Sequence, residues 1–166
     1  MKMNPTLKKI GKEELYLILL ELCNLNKENM DFLRLKLEKK PEEVIDYYKK
    51  KLKNILWNER INLRDARKVI SDFRRISNQP EHLLELMTFY VEMGVKLGEK
   101  YGDINEEFYS SMESMFEQIV KTLNNNKNLI PQFKARLDSI IDRSCEGWSH
   151  KDTLEEIYNE LNRGTQ

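Results

Sequence analysis

Residues 13–37, EELYLILLELCNLNKENMDFLRLKL, place apolar side chains around almost a whole helical surface instead of along one stripe. A helix that is apolar nearly all round is buried by its neighbours, so the pattern predicts a packing spine on which later helices dock. Leu15, Ile18, Leu19, Leu22 and Cys23 recur at helical spacing over residues 13–23, with Leu17 and Leu20 filling the gaps. Asn26 is a predicted N-cap of the helix that follows to about residue 38, because its side chain can accept from the orphan amides of the next turn.

The rest of the chain is punctuated by proline and glycine. Pro41, Pro80 and Pro131 each stand where a first helical turn should begin, and a missing N–H costs nothing there. Gly102 and Gly147 stand where helices should stop. Between these marks run amphipathic stripes: Val44, Ile45, Tyr48, Leu52, Ile55 and Leu56; then Leu63, Ala66, Val69, Ile70, Phe73 and Ile76. Leu83, Met87, Tyr90, Val91, Gly94 and Gly98 follow, the two glycines implying close approach of another backbone. The cleanest stripe is Phe108, Met112, Met115, Phe116, Ile119, Val120 and Leu123. Phe133, Leu137, Ile140 and Ile141, then Leu154, Ile157, Tyr158 and Leu161, complete the set. Asp103 with Glu106, and Ser149 with Asp152, have the spacing of capping boxes. No strand pattern is present, and the expectation is all-α: about eight amphipathic helices in one domain over residues 1–166, as an α-α superhelical stack or a compact helical array. Residues 1–11 and 163–166 are expected to be loosely ordered.

The chain carries 28 basic and 28 acidic residues, but unevenly. Residues 34–75 hold fourteen Lys/Arg against seven Asp/Glu, and residues 81–120 hold two against nine. Such a dipole can steer a charged partner or let one half of the protein attract the other. The six-residue apolar run 15–20, bracketed by Glu13, Glu14 and Glu21, fits neither a signal peptide nor a membrane span. Cys23 and Cys145 lack CxxC spacing and are expected to be reduced, mostly buried thiols, which favours the cytoplasm.

Two constellations could carry function. The first couples the 101–107 and 147–152 turns, where alternating helices would bring Asp103, Glu106, Glu107, Trp148, His150 and Asp152 into one polar cleft, beside Tyr101, Asn105 and Ser149. The competing reading has Asp103 and Ser149 as caps and Trp148 as a plug of the core end. The second is a basic face: Lys49, Lys50, Lys51, Lys53, Arg64, Arg67, Lys68, Arg74 and Arg75, with Arg60 nearby, which could meet phosphates or be a solvated surface. A Cys145/Glu146/His150 metal site can be drawn, but no HExxH, paired CxxC or phosphate loop supports it. His82, in a first turn beside Glu81 and Glu85, reads as a solvated histidine. No catalytic residue, metal or cofactor is assigned.

Four segments, EELYLILLELCNLNKENMDFLRLKL (13–37), ARKVISDFRRIS (66–77), ELMTFYVEMGVKLGEKYGDINEEFYSSMESMFEQIV (85–120) and GWSHKDTLEEIY (147–158), resemble an uncharacterised bacterial family known only as a domain of unknown function. The resemblance spans nearly the whole chain and implies an all-α single domain without an activity. The family's last motif carries an additional aromatic before its histidine; here Trp148-Ser149-His150 displaces the histidine by one, which counts against a catalytic role for it. Function is expected to be non-enzymatic, a helical module that binds a protein. A nucleic-acid-binding protein using the basic face of 49–75, and an enzyme or metal protein using the paired turns, are the alternatives; oligomeric state is left open.

Overall fold

Helix α5 (Pro80–Tyr101) occupies the centre of the molecule. Pro80 sets its first turn, and Gly102, at φ +74, stops it by donating its backbone N–H to the Gly98 carbonyl. Its 22 residues meet neighbours on several sides, so Leu84, Leu86, Met87, Tyr90, Val91 and Leu97 are all essentially inaccessible.

The computed structural model describes residues 9–38, 41–102 and 104–163. Among these, α1 (Lys12–Leu25) and α2 (Lys27–Leu33) are followed by a π-helical turn at Arg34–Glu38, then α3 (Pro41–Leu56) and α4 (Leu63–Ile76). After α5 come α6 (Glu106–Asn124), α7 (Ile130–Arg143) and α8 (His150–Arg163), with short 3-10 turns at Lys127–Leu129 and Gly147–Ser149. Helix α5 packs against α3, α4, α6 and α7, and α8 closes over α6 and α7. The result is a compact helical array with no strand among the described residues.

The amphipathic stripes of α3, α4, α6 and α7 enter the core as their spacing predicts. Tyr48, Leu52, Phe73, Phe108, Phe116, Ile119, Phe133 and Leu137 are all at most 2% exposed. Asn26 caps α2 as expected, accepting from the Asn29 N–H at 2.8 Å.

The expected spine is a correction. Helix α1 buries only Cys23, and its substantial packing partner is α2 alone. Leu15, Tyr16, Leu17, Leu20, Leu22 and Leu25 are all 40% exposed or more. The all-round burial read into residues 13–37 belongs to α5. Three of the charged residues of α5, Glu85, Glu92 and Glu99 at seven-residue steps, form a lane where arginines of α7 meet them, which leaves the other sides of the helix apolar for burial.

Three local expectations also change. The neighbour of Gly94 is the Met112 side chain of α6, not a backbone: a Cβ at Gly94 would lie 2.2 Å from Met112 Sδ. The N-cap of α6 is Asn105, whose Oδ1 accepts from the Phe108 N–H at 2.8 Å; Asp103 lies outside the described residues. Ser149 stands at φ +53, away from the extended conformation an N-cap requires, and its carbonyl accepts from Thr153 Oγ1. Residues 1–8 and 164–166, within the termini expected to be loose, also lie outside the described residues.

Candidate functional site

The two turns of the predicted polar cleft do lie at one end of the molecule, and Tyr109 of α6 joins them. Its hydroxyl donates to the Gly102 carbonyl at 3.3 Å and accepts from the Ile104 N–H at 3.4 Å. Its ring stands 4.8 Å, centroid to centroid, from the imidazole of His150. His150 is 3% exposed, and its Nδ1 lies 2.7 Å from Glu113 Oε1. The histidine therefore fills the space between α6 and α8 and seals it. Glu106, Glu107 and Asp152 stay at the surface. Trp148, read in one alternative as a plug, is 55% exposed on a backbone at φ +56.

The basic segment is divided by the fold. Lys49 is half-buried and pairs with Glu85 at 2.5 Å. Arg67 donates to Ser114 Oγ at 2.9 Å and Arg74 to Gln118 Oε1 at 3.0 Å, so two cations of α4 are tied to α6. Lys50, Lys51, Lys53, Arg64, Lys68 and Arg75 remain exposed.

Among the described residues, most ion pairs of the acidic segment are made with α7, outside the basic stretch. Arg136 grips Glu92 through Nε and Nη2 at 2.6 and 2.9 Å and reaches Glu85 through Nη1 at 2.5 Å; Arg143 takes Glu99 with two donors. Burial pushes the Glu85 carboxyl up, but Lys49 and Arg136 together outweigh it and hold the group below its ordinary value. For Arg136 burial works against the charge, and Glu92 and Glu85 more than offset it.

A cleft of about 540 Å³ opens where the 58–62 loop meets the start of α6. Arg60, Ile61, Arg64, Ile104, Glu107 and Phe108 line it, which unites one end of the basic segment with one of the predicted turns. Beside it, where Tyr101 shares a second hollow with Ile61 and Ile104, the Lys100 ammonium lies 4.9 and 4.8 Å from the centroids of the Trp57 and Tyr101 rings. Sequence reasoning passed over Ile61 and Ile104; the signal was a lone isoleucine inside each polar break. Among the described residues no three His, Cys, Asp or Glu side chains gather as a metal-holding group, and Cys23 and Cys145 are free thiols.

The largest anomaly of the surface lies elsewhere. Of thirteen exposed large hydrophobic residues among those described, nine fall between residues 15 and 37: six on α1, then Met30, Phe32 and Leu37. Helix α1 has the weakest segregation of apolar from polar faces among the long helices, so the apolar surface wraps around it. No described helix is long and apolar enough to cross a membrane.

Compared with known proteins, residues 3–162 match the model of a family of unknown function, DUF6155. No curated protein matches the chain. No solved structure matches it either.

Proposed function

We propose, for a chain that belongs to a family of unknown function, that its role is non-enzymatic: a cytosolic helical module that holds a protein through the surface of α1, α2 and the π-helical turn. The observation that carries this reading is the run of nine exposed hydrophobic residues at 15–37. Those residues average about half exposed, and scattered single hydrophobic residues, not a run of this kind, are the norm on a monomer's surface. His150 fills the space between α6 and α8, and Lys49, Arg67 and Arg74 are engaged within the fold, so members of both other candidate sites are already occupied.

The test is site-specific photocrosslinking in cells. A photoreactive side chain at Tyr16 or Leu25, both more than half exposed, should give discrete protein adducts, whereas the same group at the exposed Asn159 of α8 should not. Adducts no stronger at 16 and 25 than at 159 would overturn the reading.

A further inference from the structure

We infer that the occupant of this surface is a second copy of the chain, the α1–α2 segments of two copies packing against each other about a two-fold axis; the inference rests on the interaction reading above. Helix α1 exposes Tyr16, Leu17 and Leu20 around one side and Leu22 and Leu25 around another. A flat groove or a lipid surface covers only one face of a helix, whereas α1 is apolar on several. Its own α2 supplies one neighbour: the chain turns at Asn26, whose backbone is extended, and Asn29 of α2 donates Nδ2 to the Leu22 carbonyl at 2.6 Å. The same segment of a second copy supplies two more, as neighbouring helices do in helical bundles.

Charge favours the same occupant. The formal net charge is zero, so two copies approach without long-range repulsion. An isologous interface sets one patch against itself, which a patch of a single sign resists. Here Lys12 stands exposed on α1 with Glu13, Glu14 and Glu21, while Lys27 pairs with Asp31 and Lys36 with Asn78 of the same chain, so a two-fold pairing can set Lys12 against the α1 glutamates around an apolar centre. A stable dimer takes roughly 800 Å² from each partner, so the pairing must cover both exposed sides of α1. The core that α3 to α8 build is continuous without α1, so pairing asks no rearrangement of it.

The experiment is sedimentation velocity with light scattering on the full chain, from low to several hundred micromolar. The expected species is a dimer of twice 19.9 kDa. The Leu17→Lys/Leu25→Lys variant should run at the monomer mass with unchanged helical circular dichroism, since both side chains are more than half exposed. Independently of any variant, amide exchange in residues 13–33 of the wild type should slow as concentration rises, while exchange in α6 should not. A wild type that stays monomeric throughout overturns the second copy. Crosslinks at residue 25 to a different protein would then keep the interaction reading alive, and absence of any adduct would end both. A monomer that floats with anionic vesicles, or a dimer that survives the double lysine variant with slowed exchange elsewhere, also overturns it.

Discussion

Gly94 and Gly98 stand one turn apart on α5, both buried, yet they tolerate a methyl group differently. A Cβ at Gly94 would come within 2.2 Å of Met112 Sδ and 2.9 Å of its Cγ, and Met112 is itself 1% exposed. A Cβ at Gly98 would meet only the Tyr109 hydroxyl, at 3.9 Å. Alanine gains about 1 kcal/mol of helix propensity over glycine, while overpacking a core costs about 1–3 kcal/mol. Gly98→Ala should therefore stabilise the protein by about 0.5–1 kcal/mol in urea unfolding, and Gly94→Ala should destabilise it by about 1 kcal/mol. Pairing Gly94→Ala with Met112→Ala should recover part of the cost of the two single changes; strict additivity would show that they do not touch. Ser149 offers a third residue test. At φ +53 a side chain costs about 1 kcal/mol that glycine avoids, so Ser149→Gly should raise the unfolding midpoint although it deletes a residue of a predicted capping box.

At the scale of elements, α5 and α7 run parallel, and arginines one heptad apart, Arg136 and Arg143, serve the glutamate lane. The Glu85 and Glu99 carboxyls both sit below their ordinary value of 4.5: Glu85 because Lys49 and Arg136 outweigh burial, Glu99 because of the Arg143 hydrogen bonds. The unfolded chain thus takes up these protons at higher pH than the folded one. Stability from this lane is complete above 4.5 and drains as pH falls through the lower folded values. Arg136→Met, which keeps the apolar stem, should cost about 2 kcal/mol at neutral pH by stranding Glu92 and leaving Glu85 to Lys49 alone. The same variant should show a shallower loss between pH 5 and pH 3, read as urea midpoints. A variant with an unchanged acid limb would place the pH dependence elsewhere. Little of this lane was legible beforehand: the charge excess of 81–120 stood out, but its pairing chiefly with α7, and with residues 34–75 through Lys49, depended on how the helices are arranged.

For the whole molecule, the contrast between α1 and α5 decides which helix the fold depends on. Leu84→Ala in α5, at 0% exposure, should cost about 3 kcal/mol. Leu17→Ser in α1, at 59% exposure, should cost no more than about 0.5 kcal/mol in a monomer at low concentration. Equal costs would restore α1 as the spine. The sequence alone determined the all-α class, the prolines that open α3, α5 and α7, the stop at Gly102 and the buried stripes, because helical spacing and terminal chemistry are local properties. It also showed that two turns could share an end, since alternation of short-linked helices follows from connectivity. Which of two apolar-rich helices is enclosed, which cations are consumed within the fold, and whether His150 lines a cleft or fills one were decided only by tertiary structure. Each depends on neighbours distant in sequence: burial requires surfaces on several sides, and α3, α4, α6 and α7 bring theirs to α5 and leave α1 with α2.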